Sequence, residues 1–335
     1  MAATLKIIAE RAGLSQSTVS QILNRKSNDF SSEQTRQRVF QLAHELGYKQ
    51  KFGHKLLRGD KTHTAVILLG MHRIALEEHI QALIMRLLDL LESKGYGAYL
   101  VTLDDSEEQN LETLRELTGR GADSFIFLGA PFGISLLEQY ILEQKRTFIG
   151  YGAGFSRSIQ VDISGSTAEI IRYFLDCGRS NFRIFLGNSP QHDLRMKGLR
   201  DVFPDCSDRE LLDRYWVNLG FLGEHDDIDT FAHIGYEKTQ QAFERNPDID
   251  ACFYLSDYFA VGGLRYLMET GRQAGKDVLV AGFNNIHAVR TYPLPVSSGE
   301  HDIPQVADAL IAEMEQEAPV HRIIPSRTII RKWGE

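Results

Sequence analysis

Residues 5–24, LKIIAERAGLSQSTVSQILN, decide how the amino-terminal part of this chain folds. They read as two short helices joined by a tight turn. Thr4 is placed to cap the first helix, Leu5 to Ala12. Gly13 ends it, because glycine enters the left-handed C-cap conformation without steric cost. Ser15 caps the second helix. Ile8, Ala9, Val19 and Ile22 form the apolar seam between the two. Gln16, Ser17, Ser20, Gln21 and Asn24 fall on the outer face, where amides and hydroxyls can reach base edges and phosphates. Ser31 or Ser32 opens a third helix, SSEQTRQRVFQLAHELGY, with Val39, Leu42, Ala43 and Leu46 at helical spacing, and Gly47 stops it. A unit of this pattern is expected to be a helix-turn-helix headpiece spanning residues 1–48. A basic connector, KQKFGHKLLRGDKT, follows to residue 62.

Charge is segregated in the same way. Residues 1–62 hold eleven basic and five acidic residues, a net of +6. The rest of the chain holds 26 basic and 40 acidic residues, a net of −14. A cationic head on an anionic body suits a protein that neutralises phosphates with one end only.

At 335 residues the chain is long enough for two or three domains, and 43% hydrophobic content gives each a core. The three cysteines, Cys177, Cys206 and Cys252, are widely spaced and odd in number, as expected of reduced thiols in a cytoplasmic protein. The start, MAATLKIIAERAG, does not read as a signal peptide, and no apolar run is long enough to span a bilayer, so no membrane partner is expected.

From Thr64 the pattern changes. THTAVILLG, GYGAYLVTL, SFIFLGA, TFIGYG, FRIFLG, ACFYLS and DVLVAGF read as buried strands. Helical stretches alternate with them: 77–94, 111–119, 135–144, 166–177, 195–202, 235–245 and 258–270. This alternation implies parallel sheets with helices on both faces. There are too many strands for one open sheet, so the body is expected to have two lobes, with a ligand cleft at the carboxyl ends of the strands.

Nearly the whole chain resembles the LacI-type transcription repressors. The head carries the AGL turn, SQSTVS, SSEQTRQRV and ELGY. The body carries VDISGSTAEIIRYFLDCG, RMKGLRDVF, LSDYFAVGGLRYL and DVLVAGFNN, and the end is HRIIPSRTIIRKWG. The resemblance implies an α/β fold: the three-helix headpiece, a hinge at 49–62, and a two-lobed periplasmic-binding-protein-like body with two parallel sheets over 63–335. It places the first lobe at about 63–161 and 292–320 and the second at about 162–289 and 323–335. It implies that Gln16, Ser17 and Gln21 read bases, and that Ser15, Thr18 and Asn24 contact the DNA backbone. Gln21 stands where relatives often have arginine. Arginine pairs with guanine and glutamine with adenine, so adenine is expected at that operator position. Leu57, with Lys55 beside it, falls where the family's hinge helix enters the minor groove. Gln50 and Gly53 depart from that pattern, since glycine within a helix costs about 1 kcal/mol relative to alanine.

In the body, the resemblance places Arg195 on the effector, with a lobe–lobe salt bridge as the competing role. Ser256 and Asn284 stand where asparagine and aspartate are usual. An aspartate accepts two hydrogen bonds from sugar hydroxyls, whereas an asparagine offers an acceptor and a donor, which argues for an effector other than the commonest hexoses. Tyr151, His72 and His79 are candidates for the first-lobe wall.

GYGAGF, residues 150–155, lacks the spacing of a phosphate loop and reads as a loop between lobes. EHDDID, with His225, Asp226 and Asp227, reads as a solvated acidic loop and not a metal site. Cys252, inside an apolar strand, reads as inert. No metal or cofactor is expected, and no catalytic constellation is evident.

The function these features imply is repression of transcription. A homodimer would bind a palindromic operator on double-stranded DNA, under control of a small metabolite, a sugar or sugar derivative. The alternatives are a soluble small-molecule receptor without DNA function and an α/β enzyme.

Overall fold

A computed structural model describes residues 4–23, 30–48, 61–70, 77–188, 193–220, 227–291, 293 and 295–333. The chain divides into two compact units, Met1–Thr62 and His63–Glu335.

The first unit holds α1 (Leu5–Ala12), α2 (Gln16–Leu23) and α3 (Glu33–Glu45). Its caps follow from residue chemistry. The Ile7 N–H donates to Thr4 Oγ1, the Thr18 N–H to Ser15 Oγ at 3.0 Å, and the Thr35 N–H to Ser32 Oγ at 3.2 Å. Gly13 turns the chain between α1 and α2 with φ +70°. Ile8, Ala9, Val19 and Ile22 are buried as the spacing requires, and Val39 and Ala43 of α3 close the core over them. Leu42 and Leu46 are only partly buried at its edge.

The second unit carries two six-stranded sheets. Its elements, in chain order, begin with β1 (Thr64–Leu69), α4 (Glu78–Ser93), β2 (Gly97–Thr102), α5 (Glu107–Gly119), β3 (Ser124–Leu128), α6 (Ile134–Glu143), β4 (Thr147–Tyr151) and β5 (Ser158–Asp162). They continue with α7 (Ser164–Asp176), β6 (Phe182–Leu186), α8 (Leu194–Val202), α9 (Asp208–Tyr215), β7 (Trp216–Asn218), α10 (Ile228–Arg245), β8 (Ala251–Tyr254), α11 (Asp257–Glu269), β9 (Leu279–Phe283) and α12 (His287–Thr291). Last come β10 (Val296–Glu300), α13 (Ile303–Glu313), β11 (His321–Pro325) and β12 (Arg327–Ile329).

Strand order is β11-β5-β4-β3-β1-β2 in the first sheet and β12-β10-β9-β8-β6-β7 in the second. Every pairing is parallel except that of β10 with the edge strand β12. Helices cover both faces of each sheet, so β1, TAVILL, is apolar almost throughout and buried at all six positions. The helices α10 and α11 meet glycine against backbone. A Cβ on Gly262 would lie 1.8 Å from the Ala232 carbonyl oxygen, and one on Gly235 would lie 2.1 Å from that of Phe259.

The chain passes between lobes three times, at Ile163, at His301–Asp302 and at Ser326. Two expectations change here. β10 belongs to the second sheet and β11 to the first. The second passage therefore falls at 301–302 and not near 290, and the third falls after 325. VSSGE carries almost no apolar signal, yet it extends the second sheet because β9 offers it an unpaired edge. GYGAGF does not join the lobes: it links β4 to β5 within one sheet.

The passages are tied together. The Ser326 Oγ–H donates to the Asp162 carbonyl at 2.7 Å. Arg327 pairs with Glu300 at 2.8 Å and reaches Asp302 at 3.7 Å. Among the described residues no helix is long and apolar enough to cross a membrane.

Candidate functional site

In the head, α2 turns Val19 and Ile22 inward and leaves Gln16 and Ser17 exposed, with Gln21 half-buried one turn on. Ser15 and Thr18 are joined hydroxyl to hydroxyl at 2.9 Å, which orders the start of this helix. Asn24, Lys55 and Leu57 lie outside the described residues.

In the body, a cavity of about 250 Å³ opens between the lobes. It sits where strands end. Leu255 and Ser256 follow β8, Phe283 and Asn284 close β9, Ile163 follows β5 and His301 follows β10. The second lobe supplies most of the wall, including Arg195, Phe231, Tyr258 and Phe259, while Glu77 and His79 face it from the start of α4.

Arg195 is held firmly. Asp193 caps α8 and takes the Arg195 Nη1 at 3.0 and 3.2 Å, while Nη2 donates to the Leu255 carbonyl at 2.6 Å. The guanidinium also lies 5.2 Å over the Phe283 ring. Its carboxylate partner is in its own lobe, and among the described residues it forms no lobe–lobe salt bridge. Arg195 is only 8% exposed, and its Nε is buried without a hydrogen-bond partner.

The rings of His79 and His301 stack with centroids 4.5 Å apart and planes 7° from parallel. His301 Nδ1 is 2.8 Å from the Tyr151 hydroxyl, and its ring stands edge-on to Phe283. His79 Nδ1 lies 3.3 Å from Glu77 Oε2. Burial pushes His79 down to about 4. Burial first, then the repulsion that a protonated His79 would exert and the charge of Arg195, hold His301 well below the usual imidazole range. Burial raises the Tyr151 hydroxyl. All three are therefore neutral near pH 7.

Asp257, at the start of α11, is fully buried. It accepts from Ser298 Oγ at 2.8 Å and from the Ile286 N–H at 3.1 Å, yet burial pushes its carboxyl up to about 8.

The structure thus brings Arg195, Ser256, Asn284 and His79 to one cavity. Tyr151 stands behind the wall and not on it, holding His301, and His72 lies outside the described residues. Sequence reasoning missed His301, Glu77 and the aromatic wall. The run HDIP held a usable signal, since Asp302 caps α13 and Pro304 sits in its first turn, marking His301 as the residue before a helix. In EHDDID, Asp227 caps α10 by accepting from the Thr230 N–H at 2.7 Å, and its two acidic-loop neighbours lie outside the described residues. Among the described residues no group of three His, Cys, Asp or Glu side chains could hold a metal ion. Cys252 is buried in β8 and its thiol is pushed up to about 12.

Comparison with known proteins accounts for both parts. Residues 4–51 match the family model for bacterial regulatory proteins of the lacI family, and residues 171–332 match that for the periplasmic binding protein-like domain. The HTH-type transcriptional repressor PurR of Histophilus somni (strain 129Pt) is 23% identical over 98% of this chain and 98% of its own. The chain belongs to the LacI family. As a LacI-family protein it is a DNA-binding transcriptional regulator and not an enzyme. The HTH-type transcriptional repressor MelR of Bacillus subtilis (strain 168) is also 23% identical, over 98% of this LacI-family chain and 96% of its own. The fold is shared with the Lac repressor dimer bound to operator and the anti-inducer ONPF, with TM-score 0.70, 19% identity and 99% of each chain covered. It is shared too with the transcriptional regulator CelR in its cellobiose complex, with TM-score 0.63, 21% identity, 99% of this chain and all of the other.

Proposed function

We infer that this regulator is a repressor that binds a palindromic operator as a homodimer, and that a small metabolite, a sugar or sugar derivative, controls it from the interlobe cavity. One observation carries the reading. The cavity is walled by both lobes and by two of the three passages between them, so a ligand there changes the interlobe angle. Whatever that angle sets at the head is biased by the ligand, and operator affinity biases ligand affinity in return. Gln16, Ser17 and Gln21 serve as base readers in this account. Ser15, Thr18 and Asn24 contact the backbone, and Leu57 with Lys55 enters the minor groove. Arg195, Ser256 and Asn284 hold the effector.

Selection of bound sequences from a random DNA pool tests the reading, followed by anisotropy titrations against a metabolite panel. A palindrome bound with steep salt dependence, and an affinity changed by at least one metabolite, is the expected result. Equal affinity for the selected site and its scrambled counterpart overturns it.

A further inference from the structure

We propose that the effector carries an acidic group, carboxylate or phosphoryl, which seats between Arg195 and the stacked imidazoles of His79 and His301, and that its binding takes up a proton on that pair. The inference rests on reading the cleft as the effector site, and it adds the charge of the ligand.

Arg195 supplies the first observation. Arg195 lines the cavity; its Nη atoms are spent on Asp193 and Leu255, while its Nε is buried and unpartnered. A buried N–H on a cation leaves a large desolvation cost uncompensated, and an anionic acceptor is the partner that offsets it most.

The imidazole stack supplies the second. His301 is faced by His79 from α4, by Arg195 from α8 and by the neutral Tyr151 hydroxyl from β4. The standing charge that acts on it is the positive one of Arg195, and a proton on His79 would add to it. Its chain neighbours Glu300 and Asp302 are both engaged by Arg327. An anion beside His301 reverses that field and turns an imidazole into a second charged donor.

The third is the placement of acids. Among the described residues, Glu77 is the one carboxylate on the cavity, and it faces His79. A proton on His79 makes that contact an ion pair, which keeps Glu77 from repelling the ligand. The second-lobe wall carries Ser256 and Asn284, neither of which brings a negative charge.

Histidine NMR signals of the full-length protein, followed from pH 8 down to pH 3.5, test this. The probes are inorganic phosphate, D-glucuronate and D-glucose, at ionic strength matched with chloride. Phosphate or glucuronate should raise the titration midpoint of the His79 and His301 signals by at least one pH unit, with exposed His287 unmoved. Arg195→Met should lose that response while keeping the wild-type circular dichroism spectrum. His301→Gln, a second variant, should reduce the pH dependence of acid binding from about tenfold per pH unit to nearly flat. A response to phosphate alone marks a phosphoryl ligand, and a response to glucuronate alone marks a carboxylate. Glucose moving the signals while both acids fail overturns the proposal and leaves the cleft as effector site. Signals deaf to all three probes overturn it too, and the effector reading is then judged by the operator assay alone.

Discussion

Glu78 of the first lobe receives the backbone N–H of His287 from the second at 2.7 Å. The same carboxylate lies 3.8 Å from Arg290, and the Glu78 N–H donates to the Tyr258 hydroxyl at 3.0 Å. One residue thus fastens the lobes across the cleft. Glu78→Ala is expected to destabilise the closed form by about 1–2 kcal/mol, the value of a charge-assisted bond at a partly exposed site. The radius of gyration from small-angle scattering should rise. Glu78→Gln, which keeps an acceptor, should give a smaller increase, and equal scattering for all three proteins would remove the latch.

Asp257 predicts a pH dependence. Its carboxyl titrates near 8 in the fold against 3.8 in the free side chain, with burial the leading cause. The folded state therefore binds the extra proton, and this group's stabilising contribution is complete below about pH 4 and lost as pH rises through 8. Urea midpoints for wild type minus Asp257→Asn should fall between pH 5 and pH 8. A constant difference would show that the carboxyl is ionised in the fold.

Gly262→Ala should destabilise the second lobe. Helix propensity favours alanine by about 1 kcal/mol. The Cβ, however, would stand 1.8 Å from a backbone carbonyl of α10, and overpacking of this kind costs about 1–3 kcal/mol or more. The net effect is a loss, read as a lower urea midpoint. A gain would mean that the helix pair separates without penalty.

Gln21→Arg should shift the preferred base at its operator position from adenine to guanine, by about 1–3 kcal/mol of discrimination. Selected sequences from the two proteins decide the matter, and identical profiles would remove Gln21 from the readers.

Much of this was legible in the sequence, for identifiable reasons. Thr4, Gly13, Ser15 and Ser32 act locally, so their caps could be read from type and spacing. Apolar strands such as TAVILL and ACFY are buried on both faces and announce themselves. The short polar strands SIQVD, VSSGE and RTI do not, because neighbours already in the sheet recruit them. The cleft was half legible. Arg195, Ser256 and Asn284 sit in motifs, whereas the ring of His301 meets that of His79 only because the chain returns from the second sheet after more than two hundred residues. No local pattern encodes that meeting.

The interleaving of the two sheets bears on how the protein is made. The first sheet gains β11 and its covering helix α13, and the second gains β10 and β12, only from residues beyond 295. Neither half can finish folding on the ribosome while those residues are still in the exit tunnel, so both halves reach completion together, once that stretch has emerged.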